Sequence, residues 1–221
     1  IGKEFLNITT DNLAFEVVVH AATVLSTIVV FRREIWSLIS GFFKFKYNSE
    51  TSYILKIGVS MIPVFIVGIF FKDFVTSIFA SGLLVVGVSL LITSMLLFLT
   101  NSIKKTSEGE VTYLKAFIIG IAQAFAVLPG ISRSGATISV GLLVGVDKER
   151  VAKFSFLMVL IPILGETFLE LISGDFAGET SGIDPISLFG GFVAAFAAGL
   201  FACKTMIALV KRVKLTGFAI Y

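Results

Sequence analysis

LPGISRSGATISVGLLVGV, residues 128–146, decides the architecture of this 221-residue chain. After Arg133 come thirteen residues without a charge, 134–146, and then Asp147, Lys148, Glu149 and Arg150 in a row. Thirteen residues make about 20 Å of helix, whereas a hydrocarbon core is about 30 Å thick. A segment this short cannot cross a membrane. It returns to charged ground only if it starts within one. Pro129 breaks the helix ahead of it, because proline lacks an N–H and disfavours helical geometry in the residue before it. Gly130 and Gly135 admit backbone conformations that other residues resist. Segments 111–128 and 136–146 therefore read as the two arms of a re-entrant hairpin, residues 111–146, with its tip in the outer half of a membrane. Irregular backbone at that depth is tolerated only where protein buries it or a wet cavity meets it.

Composition supplies the membrane. The chain is 56% hydrophobic and only 15% charged, with a mean hydropathy of +0.99, against about a quarter charged in a soluble domain. Residues 74–103 form a run of thirty without a charge, 185–203 a run of nineteen, 116–132 of seventeen and 57–71 of fifteen. Such runs predict an all-α polytopic membrane protein. They do not alternate in the ten-residue pattern of a membrane barrel. The lone cysteine, Cys203, excludes an internal disulfide, and the net charge of +3 comes with no basic run of the kind that binds nucleic acid. The chain begins at Ile1 and ends in an apolar LTGFAIY. It reads as one transmembrane domain, 1–221, cut from a longer protein at both ends.

Segments are expected at 13–31, 53–71, 74–99, 111–128, 136–146, 151–172 and 185–210, with a last one starting near Leu215. Lys72 and Asp73 should make a tight polar turn, and 35–52 a connector with an interfacial helix. Short cytoplasmic loops are enriched in Lys and Arg. Stretch 32–56 has five basic and two acidic residues, 104–115 and 147–153 three and two each, and 204–214 four and none, whereas 173–184 has three acidic and no basic residue. The alternation is self-consistent and puts the turn around Arg133 on the outward half.

An arginine at membrane depth is costly unless paired or solvated, and marks a functional site by default. Its neighbours suggest an anion. Ser132, Ser134 and Thr137 carry hydroxyls. The helix start that follows offers N–H groups and the positive end of a dipole. The guanidinium is a planar fork that matches phosphate oxygens. No carboxylate lies in the tip to neutralise it. The structural alternative is a hairpin whose arginine snorkels to the interface while its serines satisfy broken backbone.

The same residues carry a resemblance. LPGISRSGATIS, preceded by GIAQAFAV and followed by GLLVG, resembles the second signature of the undecaprenyl-diphosphatases, the bacitracin-resistance family. FEVVVHAATVLSTIVVFRREI and VAKFSFLMVLIPILGE resemble further segments of that family, so the likeness runs along most of the chain. It implies an enzyme of the bacterial inner membrane that removes one phosphate from undecaprenyl diphosphate, with its site open toward the periplasm. It implies an inverted-repeat helical bundle with two re-entrant hairpins. It assigns Arg133, Ser132 and Ser134 to catalysis. Thr137, Gly130, Gly135 and Gln123 are assigned to substrate binding. It also implies a divalent cation, Mg or Ca, and as partners a polyprenyl diphosphate, membrane lipids and a second copy of the chain. The family's first signature, Glu-x-x-x-Glu followed by Leu-Pro-x-Ser-Ser-Thr-Gly-His, has no match here, so the metal's ligands cannot be named.

Glu16 and His20 lie four apart, on one helix face, and could do acid–base work or hold a metal. An interfacial pair is the plainer account. Glu166 and Glu170, with Thr167 between them, make a second such pair near an outer helix end. Cys203 beside Lys204 sits near a cytoplasmic end and reads as a packed thiol. Against hydrolysis stand two alternatives: a flippase or transporter for a lipid phosphate or other anion, built on the same hairpin, and an anion channel. A lone arginine makes no ring of charges along a pore, which disfavours the channel.

Overall fold

The computed structural model describes residues 13–79, 83–100, 109–173, 185–212 and 216–220, and every regular element among them is a helix. They are α1 (Leu13–Val30), α2 (Arg32–Phe42), α3 (Ser49–Phe70), α4 (Lys72–Phe79), α5 (Leu83–Leu99), α6 (Tyr113–Phe125), α7 (Arg133–Leu143), α8 (Lys148–Ser173), α9 (Pro185–Arg212) and α10 (Thr216–Ile220). The chain divides into two compact units, one of Ile1–Arg32 with Leu160–Lys204, the other of Arg33–Val159 with Thr205–Tyr221.

Two spans, Ser49–Phe70 and Ile186–Val210, are long and apolar enough to cross a membrane, each with a mean hydropathy of 2.1. Their outer faces fit that role. Ile69 and Phe70 are 70% and 76% exposed and Phe201 74%, bare apolar surface that water would penalise and lipid does not. Proline sits inside α3 at Pro63 and inside α8 at Pro162, as membrane helices tolerate.

The second unit is organised around α3, α5, α6 and α7. Helices α3 and α6 pack so closely that a Cβ on Gly120 would run into the carbonyl oxygen of Ser60. Small residues at helix crossings are how apolar helices gain contact where lipid removes the hydrophobic drive. Helices α6 and α7 pack on each other, and α5 packs on α7. Phe154 and Met158 of α8 are fully buried with Ile119 and Ile138, and Tyr53 meets Phe154 edge to face, ring centroids 5.7 Å apart. In the first unit, Ser26 is fully buried, a Cβ on Gly199 would strike its hydroxyl, and Thr27 Oγ1 lies 3.6 Å from Cys203 Sγ. That thiol is half-buried beside α1.

Two expectations are corrected. Lys72 and Asp73 do not form a turn between helices; they begin α4, because Asp73 in a first turn favours the helix dipole. The described residues of the thirty-residue apolar run lie mainly in α4 and α5. The second arm of the hairpin starts at Arg133, three residues earlier than expected, because Ser132 caps it.

Candidate active site

The hairpin is α6, a seven-residue turn and α7. Thr112 caps α6, accepting from the Lys115 N–H at 3.3 Å. At its far end Lys115 Nζ donates to the Gly145 carbonyl at 3.2 Å, a cation on the carbonyl end of α7, where the dipole favours it. The two arms are thereby clamped at the end opposite the turn. Within the turn, Leu128 N donates to Phe125 O at 3.1 Å and Ile131 N to Leu128 O at 3.2 Å, so the backbone around Pro129 is satisfied locally.

Gly130 is required twice over. Its φ is +91°, a region L side chains rarely adopt, and a Cβ there would come within 2.6 Å of Val86 O and 3.0 Å of Ser89 Cβ. Helix α5 is therefore the seat of the turn. Thr93 extends the seat: its hydroxyl donates to Ser89 O at 3.1 Å and accepts from the Ser132 N–H at 3.2 Å. A Cβ on Gly135 would meet Ser132 Oγ at 2.9 Å and Thr93 Cγ2 at 3.1 Å. Both glycines assigned to the site thus let the loop lie flat on α5.

Ser132 is the N-cap of α7, its Oγ accepting from the Gly135 N–H at 3.1 Å. A hydroxyl that accepts still has a proton to donate, and Ser132 is exposed. Arg133 and Ser134 follow as the first two residues of α7, both half-buried. An exposed serine and, next to it, an arginine thus stand at a helix N-terminus, residue types suited to a phosphate.

Thr137 does something else. It is fully buried, and its hydroxyl donates to the Arg133 carbonyl at 2.8 Å. Ser155 Oγ of α8 lies 2.6 Å from it. With the threonine's one proton on the Arg133 carbonyl, Ser155 is the donor of that second bond. Thr137 therefore ties the turn of helix that carries Arg133 to α8. Gln123 is 1% exposed, with Nε2 3.9 Å from Met61 Sδ of α3. Its Oε1, and the hydroxyl of fully buried Ser139, have no hydrogen-bond partner among the described residues.

Elsewhere, His20 is exposed on α1, in the first unit. Glu16 lies on the same helix, and Glu166, Thr167 and Glu170 on α8, with side chains outside the described ones. Among the described residues no three His, Cys, Asp or Glu stand close enough to hold a metal, so the described site does not fit a divalent cation by itself. Ser89, Thr93 and Ser155 did not stand out from the sequence. Ser89 and Thr93 are four apart in the longest uncharged run, which was the available signal; Ser155 is one hydroxyl within an apolar segment.

The fold and site define a helical membrane protein with a phosphate-suited helix–turn–helix hairpin. Comparison with known proteins narrows the class. The family model described as "Bacitracin resistance protein BacA" matches residues 1–221, and the chain belongs to that family. It is 52% identical over 215 residues to an undecaprenyl-diphosphatase of Bacteroides thetaiotaomicron, covering 96% of this chain and 80% of the relative. It is 50% identical over 224 residues to one of Christiangramia forsetii, covering 100% and 84%. One of Methanococcus vannielii is 40% identical over 214 residues, covering 96% and 82%.

Proposed function

We propose that this protein is an integral membrane phosphatase that hydrolyses undecaprenyl diphosphate to undecaprenyl phosphate and inorganic phosphate, recycling the lipid carrier of cell-wall synthesis. The observation that carries the site assignment is the start of α7, where Ser132 caps the helix and Arg133 is its first residue. Water supplies the oxygen that ends on the terminal phosphorus. The bridging P–O bond breaks, and its electron pair leaves with undecaprenyl phosphate. The Arg133 guanidinium and the N-terminus of α7 stabilise charge on the transferred phosphoryl group. The hydroxyls of Ser132 and Ser134 donate to its oxygens. Thr137 positions Arg133 through that residue's own carbonyl.

The hairpin 111–146 is proposed to be re-entrant, half of an inverted repeat in the inner membrane, with its turn toward the periplasm. Support lies in helix length: α6 has thirteen residues and α7 eleven, about 20 Å and 16 Å, too short to cross about 30 Å of hydrocarbon. The family resemblance implies a divalent cation, Mg or Ca.

The test is phosphate release from undecaprenyl diphosphate by the purified full-length protein and its Arg133→Ala variant in detergent. The variant is expected to lose at least 100-fold in kcat/KM. Wild-type turnover by the variant overturns the role of Arg133. Lipid translocation in proteoliposomes without phosphate release by the wild type overturns hydrolysis in favour of a flippase.

A further inference from the structure

A cavity of about 280 Å³ opens beside the hairpin turn. Helix α3 ends on it with Val67 and the capping Phe71, α4 lines it with Phe74 and Val75, and α6 with Ala124 and Phe125. Leu128 closes it. No lining side chain is polar. Leu128 is four residues from Ser132, so the groove and the start of α7 are at most about 14 Å apart along extended chain.

We propose that this groove holds the first isoprene units of the substrate's polyprenyl tail and sets specificity for a prenyl chain on the diphosphate. The proposal rests on the function given above. A tail esterified to a diphosphate at Ser132 and Arg133 must leave the polar turn by an apolar exit, and Leu128 belongs to both turn and groove. Phe74 and Phe125 are 61% and 64% exposed at its rim, which lets a longer chain run on into the bilayer. A second cavity in this unit, about 390 Å³, is lined by Arg33, Glu34, Glu50 and Lys153, with Lys153 Nζ 3.2 Å from Glu34. Its charges exclude a hydrocarbon. Because lipid is as apolar as the groove, selectivity must come from shape, methyl-branched units packing on phenylalanine rings, rather than from escape from water.

The full-length protein and a groove-filling Val67→Trp variant are compared on farnesyl diphosphate and dimethylallyl diphosphate. The wild type is expected to prefer the longer chain in kcat/KM, and the variant's long-to-short ratio to fall at least tenfold. An unchanged ratio in a folded variant overturns the proposal. The wild type is separately photolabelled with a farnesyl diphosphate bearing a diazirine on its first isoprene unit, which covers a variant that fails to fold. Label in peptides containing residues 67–75 or 124–128, removed by excess undecaprenyl diphosphate, supports the groove. Label elsewhere, or equal labelling of these peptides by a diazirine phospholipid that undecaprenyl diphosphate does not displace, overturns it. If the wild type hydrolyses neither substrate, the functional reading fails, and the photolabel still decides the groove.

Discussion

Thr137 and Ser155, eighteen residues apart on α7 and α8, share a hydrogen bond of 2.6 Å between their hydroxyls. The same Thr137 hydroxyl donates to the carbonyl of Arg133. The backbone of Arg133 is therefore tied through Thr137 to α8.

Replacing Thr137 by valine keeps the volume and removes both bonds. Loss of one buried hydrogen bond costs about 0.5–1.5 kcal/mol, so kcat should fall about 2- to 13-fold through misplaced Arg133 while KM changes less. Ser155→Ala should give a smaller effect. The double variant should cost less than the sum of the singles, since the two hydroxyls act as one unit. Strict additivity in phosphate-release kinetics would show that the pair does not act through Arg133.

Arg133→Lys retains the charge and loses the planar fork. Hydrogen bonds to charged groups are worth about 1.5–3 kcal/mol, so kcat/KM should drop about 10- to 100-fold, with less than the loss in Arg133→Ala. Equal activity of lysine and arginine enzymes would mean that charge alone is used.

Gly130→Ala introduces a Cβ at a φ of +91° and against Val86 O. Strain of this kind costs about 1–3 kcal/mol, and at about 2–4 °C per kcal/mol for a chain of this size the melting temperature in detergent should drop by about 2–12 °C. An unshifted transition would mean that the turn does not rest on α5.

Gly120→Leu tests the crossing of α3 and α6. The side chain has no room beside the Ser60 carbonyl, and overpacking costs about 1–3 kcal/mol. Thermal unfolding of the purified variant should show a loss comparable to Gly130→Ala. Activity on farnesyl diphosphate should fall with it, because α6 carries the groove wall at Ala124.

Much of the fold was legible from charge spacing. The thirteen uncharged residues after Arg133 implied a hairpin arm too short to span, and α7 is indeed an eleven-residue helix. Ends expected at 31 and 71 came within a residue of Val30 in α1 and Phe70 in α3, because those apolar runs stop at the charges of Arg32 and Lys72. Within the site, Ser132 and Arg133 were legible because polar groups stand out in an apolar chain. Their division of labour was not: a serine that caps a helix and a threonine that ties helices together look alike in a row of hydroxyls.

The sequence alone determined that this chain is helical, that it belongs in lipid, and that an arginine among hydroxyls follows a Pro-Gly break. Those properties depend on local chemistry and on the cost of charge in hydrocarbon, which one strand of text contains. Only the tertiary structure decided that α5 seats the turn through Ser89 and Thr93, that Thr137 anchors Arg133 to Ser155, and that an apolar groove meets the turn at Leu128. Each of these joins residues far apart in the chain through contacts a few ångströms long, and such contacts exist only once the helices have packed.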